Sequence, residues 1–239
     1  MPRTYNSSEF LQYLVAYGVT DNESQRLPTL NQLSEELGVS LSRLREQLEV
    51  ARALGLVEVR PRTGIRRLPY TFSPAVWQSL SYALELDRGN FDAFSELRNN
   101  LEAAYWYQAA ALLNTDDVMI LQNLIDSAWQ KLRSTQVKIP HAEHRQLHLG
   151  IYHRLENPFV LGILEAYWEA YEAVGLNVFA DYDYLQEVWS YHQHMVDAIR
   201  TGNLSDGYQA LVEHKDLLYH RPVATLMLNG SAASHPLKP

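Results

Sequence analysis

Four of the nine histidines of the chain lie in one stretch of thirteen residues, HAEHRQLHLGIYH, from His141 to His153. Imidazole is a common ligand for Zn²⁺ and similar ions, and it also transfers protons near neutral pH. On a helix, His144 and His148 are one turn apart and share a face, whereas His153 points about 140° away from His148. His141 lies near the shared face, but at the end of the predicted helix. The spacing therefore allows His144 and His148 to bind one ion together.

Two more imidazoles can reach the same level of the fold from the last two predicted helices. The pair Gly202-Asn203 is predicted to form the tip of a helical hairpin, between His192 and His214. At about 1.5 Å per residue, both histidines then lie roughly 16 Å from the tip on antiparallel neighbours. The neighbouring His194 points to the opposite side. A converging set would suit Zn²⁺ or Ni²⁺, and the alternative is that each histidine is separately hydrogen-bonded or exposed.

Composition limits the chemistry open to such a site. The chain has no cysteine, so neither disulfides nor thiolate metal sites form, and a transition metal must be held by His, Asp or Glu. The motifs H-E-x-x-H and E-x-x-H do not occur, which argues against the zinc-protease and di-iron carboxylate patterns. A metal-dependent enzyme acting on a small organic acid stays the alternative function, because histidine clusters with an open position also activate water.

Charge divides the chain into two parts. The net charge is −8, but residues 1–70 carry nine Arg and eight Asp or Glu, whereas residues 71–239 carry eleven Lys or Arg and twenty Asp or Glu. Residues 41–70 hold seven Arg against three Glu, so a polyanion such as DNA could dock there. The N-terminal sequence lacks a signal-peptide pattern, and a run of about 18 apolar residues does not occur, so we expect a cytoplasmic protein with no membrane partner.

Residues 1–70 have the pattern of a winged helix-turn-helix. Thr29 and Gln32 have capping-box spacing at the start of a helix that Gly38 ends, and Ser40 is placed to cap the next helix. That next helix has an apolar face, and the residues predicted to face away from it are Ser42, Arg43, Glu46 and Gln47, with Arg45 on the flank. The basic hairpin that follows is predicted from strands over 56–59 and 65–68, joined by a turn at 61–64.

Beyond a proline-rich linker at 68–74, the sequence predicts an all-α bundle of six or seven helices with short connections. We therefore expect a mainly α protein with a DNA-binding domain over 1–70 and an effector-binding and dimerisation domain over 75–222, followed by a disordered tail over 223–239. The helices are predicted near 75–87, 91–113, 116–134, 141–155, 158–175, 183–201 and 204–219.

An ordered set of motifs resembles the GntR family of bacterial transcription regulators, in the branch with the FadR-type C-terminal (FCD) domain. The N-terminal match is LPTLNQLSEELGVSLSRLREQL, followed by GLVEVRPRTG at the wing. The C-terminal matches are Arg98-Asn-Asn-Leu101-Glu102-Ala-Ala, Leu147-His148 with Asn157, His192 with Ala198 and Asn203, and Glu213-His214. Together these motifs span roughly residues 10–220.

The resemblance implies a divalent metal, here most simply Zn²⁺ or Ni²⁺, held by His144, His148, His192 and His214. The chain departs from the family at the first ligand, because His144 stands where an acid is usual. The resemblance also implies that a small organic acid binds next to the metal, with Arg98 as its carboxylate partner and Glu102 and Asn157 nearby. The alternative for Arg98 is a structural salt bridge with Glu102 at i+4.

For DNA, the resemblance places the helix that begins after Ser40 in the major groove and the wing tip near Gly64 beside the minor groove. Two positions depart from the family pattern, because Asn31 and Leu41 stand where arginines are usual. The residues expected to contact DNA are Thr29, Ser40, Ser42, Arg43, Arg45, Arg62, Gly64 and Arg66.

The resemblance therefore implies a ligand-responsive transcription regulator and not an enzyme. We expect a repressor that acts as a homodimer on double-stranded DNA with a palindromic operator, since two-fold protein symmetry selects two-fold sites.

Overall fold

The computed structural model of the chain describes residues 8–16, 26–62, 64–176 and 181–219. Within these ranges the protein is mainly helical, with ten helices and one two-stranded antiparallel sheet. The elements are α1 (Glu9–Ala16), α2 (Leu30–Leu37), α3 (Leu41–Ala53), β1 (Val57–Arg60), β2 (Gly64–Arg67), α4 (Ser73–Leu86), α5 (Asn90–Leu112), α6 (Thr115–Leu132), α7 (His141–Tyr152), α8 (Pro158–Ala173), α9 (Tyr182–Thr201) and α10 (Leu204–Tyr219). The expected fold class, a winged helix-turn-helix followed by an all-α bundle, is confirmed.

The backbone groups into two compact units. The first comprises Met1–Leu112 and Ile151–Val174, and the second comprises Leu113–Gly150 and Gly175–Pro239. The first unit therefore holds α1 to α5, both strands and α8, while α6, α9, α10 and most of α7 belong to the second. The tail predicted over 223–239 lies outside the described residues.

The N-terminal helices and the hairpin close around one apolar core. Thr29 accepts a hydrogen bond from the backbone of Gln32 and begins α2, and Gly38 ends it with φ 65°. Ser40 then caps α3 by accepting a hydrogen bond from the backbone of Arg43. The buried members of the core are Phe10, Leu14, Leu27, Leu33, Leu44, Leu48, Ala51, Val57 and Ile65.

Three details of this region differ from the sequence prediction. Helix α1 was not predicted, although Phe10 and Leu14 bury its inner face. The strands are displaced by one residue, since Val57 pairs with Arg67 and Arg60 with Gly64. The prediction for Gln47 is wrong, because its side chain is only 8% exposed and turns toward α1 instead of facing away.

In the bundle, α4 and α8 each have a proline in the first helical turn, where its missing N–H would have no partner in any case. Helix α4 therefore starts at Ser73, inside the predicted linker. The two helices approach closely at Gly162, where a Cβ atom would lie 2.6 Å from the backbone N of Ser73. The predicted helices of this region match α4 to α10 to within about three residues at each end.

In the second unit, Gly202 ends α9 in the left-handed region with φ 77°, and α10 begins two residues later. Helices α9 and α10 therefore pack as the predicted hairpin, and α6 packs against α9. Among the described helices, none is long and apolar enough to cross a membrane.

Candidate functional site

Four histidines from three helices of the second unit converge on one point. His144 and His148 lie one turn apart on α7, His192 lies on α9 and His214 on α10. Each ring offers a nitrogen, and these four nitrogens lie within 4.8 Å of one another. The helical hairpin thus brings His192 and His214 level, as its tip at Gly202 predicts, and their ring centroids are 4.4 Å apart.

The ring nitrogens of the cluster lie close enough together to hydrogen-bond or to bind one ion. Nε2 of His148 lies 3.0 Å from Nε2 of His192. Two nitrogens bound to one ion at about 2.0–2.1 Å are about 3 to 3.5 Å apart, so this pair already has the spacing of two ligands. The His144 ring centroid lies 5.0 Å from that of His148 and 4.7 Å from that of His192. All four rings are therefore close enough together for one nitrogen of each to approach a single ion.

The donor chemistry of the cluster fits a borderline metal ion. His148 and His192 are fully buried and His214 is 7% exposed, while His144 is half-buried. Within the described part of the chain, the group consists of imidazoles alone and includes no carboxylate. Imidazole suits Zn²⁺, Ni²⁺, Cu²⁺ and Fe²⁺, and a neutral donor set leaves the full charge of the ion to be balanced by something else.

Two neighbours of the cluster were missed in the sequence. Trp189 is buried. Its ring centroid lies 4.9 Å from that of His192 and 6.1 Å from that of His144, with both pairs of rings edge to face. Its i,i+3 spacing from His192 is the signal that could have found it. Glu143, next to His144, is buried and accepts from Lys131 at 2.6 Å and Ser127 at 2.9 Å on α6. Burial alone would raise the pKa of Glu143, but these hydrogen bonds, one from its own backbone and the Lys131 charge together lower it.

The remaining described histidines stand outside the cluster. His141, at the start of α7, and His153, directly after its end, are not among its members. His194 faces away from it and lies 2.7 Å from a carboxylate oxygen of Asp206 at the surface. His220 and His235 lie outside the described residues.

The predicted effector residues belong to the first unit, where Arg98 and Glu102 form a buried ion pair. Nε of Arg98 lies 3.1 Å from Oε1 of Glu102, and the two side chains are 4% and 1% exposed. The guanidinium also lies over the ring of Tyr167, 4.6 Å from its centroid. The structure therefore contains the i+4 salt bridge that the sequence offered as the alternative role of Arg98.

Asn157 caps α8. Its Oδ1 accepts hydrogen bonds from the backbone N–H groups of Phe159 and Val160, and its Nδ2 donates to the hydroxyl of Tyr105 at 3.4 Å. These contacts give Asn157 a structural role in the helix terminus.

On the predicted DNA-binding surface, α3 presents Ser42, Arg43 and Arg45 to solvent. Arg43 is 60% exposed, and its Nη2 donates to Oε1 of Glu9 at 2.6 Å. Ser40 and Thr29 are exposed at the starts of α3 and α2 and use their side-chain oxygens as helix caps. This face combines exposed cations with helix N-termini, both of which favour phosphate.

The hairpin presents a second group of arginines. Arg62 is exposed in the turn and adopts φ 67°, a left-handed conformation that costs a non-glycine residue about 1–2 kcal/mol. Gly64 follows with φ 80° and ends the turn. Arg66 is half-buried on β2, opposite Glu58 of β1, whose carboxylate pairs with Arg60 at 2.9 Å.

Comparison with known proteins decides the family. The FCD domain model matches residues 93–217, a range that includes all four clustered histidines and Arg98. The chain belongs to the GntR family of transcription regulators. Within this family it has the FCD effector domain, as the ordered motifs of the sequence imply.

One of the similar solved structures supports the fold of the chain. The Streptococcus agalactiae GntR structure is 18% identical to the chain, with a TM-score of 0.67, and the match covers 89% of this chain and 96% of that one. The structure of E. coli McbR/YncC is 19% identical over 89% of this chain and 96% of that one, with a TM-score of 0.45. No curated protein sequence matches the chain. For this GntR-family regulator, the similarity to the Streptococcus agalactiae structure supports the fold alone.

Proposed function

We propose that this GntR-family regulator is a repressor whose affinity for operator DNA is controlled by a small organic acid bound at a divalent metal. His144, His148, His192 and His214 would hold the ion, with Zn²⁺ or Ni²⁺ the ions that four imidazoles suit best. Bound there, the ion would supply a fixed positive charge to which a carboxylate can bind directly.

The observation that carries the proposal is the all-imidazole donor set. Three of its members are buried, and a divalent charge in a poorly solvated place requires an anion nearby. Because the four histidines supply no negative charge, we expect the carboxylate of a bound small acid to balance the charge of the ion. Among the implied effector residues, Arg98, Glu102 and Asn157 stay predictions, and Arg98 would have to exchange its contact with Glu102 for one with the acid.

For DNA, we propose that residues 1–70 form the operator-binding domain, residues 75–222 the effector and dimerisation domain, and that the regulator acts as a homodimer on a palindromic site. Arg43 and Arg45 on α3 would contact bases, while Arg62 and Arg66 would contact phosphate or the minor groove. The acid can change operator affinity only by the ratio of its affinities for the DNA-competent and DNA-incompetent forms.

The test begins with metal content. Untagged wild-type protein should retain about one Zn²⁺ or Ni²⁺ per chain by elemental analysis, and His148→Ala should weaken metal binding at least about a hundredfold. His153→Ala is the matched control, because His153 directly follows α7, the helix that carries His148, and is not a member of the cluster. Equal metal content in all three proteins would overturn the metal site.

The second part of the test measures the affinity of the protein for DNA. A duplex selected from a random-sequence pool by the wild-type protein is titrated with and without a panel of small mono- and dicarboxylates. We expect at least one acid to shift the affinity of metal-loaded wild type and His153→Ala, but not of His148→Ala. If the metal-loaded wild type instead converts an acid to product, and His148→Ala does not, the enzyme alternative replaces the regulator proposal.

A further inference from the structure

Three side chains connect α1 to the exposed face of α3. Glu9, the first residue of α1, accepts a hydrogen bond from Nη2 of Arg43 at 2.6 Å through Oε1 and one from Nε2 of Gln47 at 2.5 Å through Oε2. Gln47 in turn accepts from the backbone N–H of Phe10 at 2.9 Å through its own Oε1. We call these three residues, Glu9, Arg43 and Gln47, the α1–α3 brace.

Gln47 is the buried member of the brace. Gln47 is 8% exposed, and Phe10, whose N–H it binds, is fully buried in the N-terminal core. The N–H of Phe10 belongs to the first turn of α1, where backbone donors have no partner within the helix, so Gln47 caps α1 from another helix. Hydrogen bonds from its own backbone and from Gln47, with the charge of Arg43, lower the pKa of Glu9 and keep it ionised. The Glu9 carboxylate is therefore charged, and both of its oxygens accept hydrogen bonds from side chains of α3.

Arg43 is the member of the brace that is most exposed to solvent. Arg43 is 60% exposed although one terminal nitrogen is bound, so its other donors remain available on the polar face of α3. A long arginine side chain loses rotamer entropy when it docks on a base, and a guanidinium already held at one end loses less. The adjacent carboxylate also repels phosphate oxygens, which disfavours contacts that carry no sequence information. Arg45 forms no ion pair with the residues that the structure describes and lacks this arrangement.

We propose that Glu9 is a positioning residue that directs Arg43 toward a base edge in the major groove and away from the phosphates, and so sets the sequence specificity of the regulator. The inference rests on the proposed DNA-binding function. It assigns to α1 a part in sequence discrimination through a contact that spans 34 residues of sequence.

The experiment uses the full-length wild-type protein and the variants Glu9→Gln, Arg43→Gln and Glu9→Gln/Arg43→Gln. Wild type first selects a duplex from a random-sequence pool, and each protein is then titrated at fixed salt with that duplex and with unselected pool DNA. We expect Glu9→Gln to lower the ratio of the two affinities about fivefold to tenfold, with pool DNA bound equally or more tightly. In the Arg43→Gln background, the same change should leave the ratio unaltered within about twofold, because Glu9 acts through Arg43.

Glu49→Gln is the matched control, since it removes the same charge from an exposed ion pair, Glu49 with Arg52 at 2.6 Å, on the same helix α3. It should leave the ratio within about twofold of wild type. A merely structural role of Glu9 would weaken binding to both DNAs equally, and an unchanged ratio in Glu9→Gln would likewise overturn the inference while leaving the proposed function standing. If wild type selects no sequence from the pool, the proposed DNA-binding function fails and the inference fails with it.

Discussion

At the scale of single residues, His144 determines the charge of the proposed metal site. The resemblance leads us to expect an acid at this ligand position, and an acid would cancel one unit of the charge of the ion. The imidazole of His144, half-buried with its ring centroid 5.0 Å from that of His148, keeps the donor set neutral instead. The substitution therefore raises the positive charge available to an anionic effector.

Restoring the acid tests this consequence. His144→Asp should still bind Zn²⁺, because three imidazoles and a carboxylate are a good donor set, but should bind a small carboxylate about tenfold more weakly, since the net charge of the loaded site falls by one. Calorimetric titration of the metal-loaded proteins with acetate, malonate and citrate measures the difference. Stronger binding of all three acids to His144→Asp would contradict the electrostatic argument.

The buried pair of Arg98 and Glu102 gives a second prediction. Glu102→Ala should lower the free energy of unfolding by about 3–5 kcal/mol, because it leaves the guanidinium of Arg98 buried without its carboxylate. Urea denaturation measures this loss. The double variant Arg98→Leu/Glu102→Leu removes both charges and should lose less than about 2 kcal/mol.

The same double variant examines the predicted effector role of Arg98. If Arg98 is the carboxylate partner, the folded double variant should lose the response of operator binding to the acid while its metal content stays that of wild type. A double variant that folds and responds normally would leave Arg98 with a structural role only.

At the scale of elements, close helix packing depends on small residues at defined points. A Cβ atom at Gly162 of α8 would meet the backbone of Ser73 at 2.6 Å, and backbone cannot rotate away. Gly162→Ala should therefore destabilise the protein by about 1–3 kcal/mol. Gly150→Ala is the control, because its Cβ would meet only the end of the Leu121 side chain, at 3.0 Å. Equal midpoints of thermal unfolding for the two variants would argue against this account of α4 and α8 packing.

The contribution of Glu9, which joins α1 to α3, to the free energy of unfolding is expected to decrease in acid. The pKa of Glu9 is lowered below its usual value of 4.5 in the folded protein, so its contribution to stability is fully present above that value and disappears as pH falls through the folded pKa. The stability difference between wild type and Glu9→Gln should therefore be constant from pH 7 to about 5 and vanish in stronger acid. Urea denaturation across this pH range measures it, and a difference that grows on acidification would contradict the sign.

Element positions could be predicted from the sequence more completely than the contacts between elements. Capping residues and helix stops, such as Asn157-Pro158 and Gly202, mark boundaries locally, so the bundle helices are placed to within a few residues. The position of the hairpin tip also predicted that His192 and His214 lie at the same distance from it on neighbouring helices. Gln47 was misplaced because its partner on α1 lies 37 residues away in sequence, a separation on which helical periodicity carries no information.

At the scale of the whole molecule, the four clustered histidines come from helices whose joint packing local sequence signals do not predict. His144 and His214 are about seventy residues apart, and the cluster contains two histidines from α7 and one each from α9 and α10. An ion held by all four would cross-link these three helices within the second unit. Its binding free energy would therefore add to the stability of that unit, and not to the N-terminal core built around Phe10 and Leu44.

Because the ion would stabilise only the second unit, we expect metal removal to destabilise that unit more than the N-terminal core. At a free Zn²⁺ concentration of about a hundred times Kd, the ion stabilises the state that binds it by about 2.7 kcal/mol. Hydrogen–deuterium exchange should then show slower exchange of backbone amides in α7, α9 and α10 with Zn²⁺ than after chelation, while amides of α2 and α3 change little. His153→Ala should behave as wild type and His192→Ala should show no metal effect. Slowing that persists in His192→Ala would mean that the ion binds elsewhere, whereas equal slowing throughout the chain would mean that the two units unfold in one step and would contradict the predicted uneven effect.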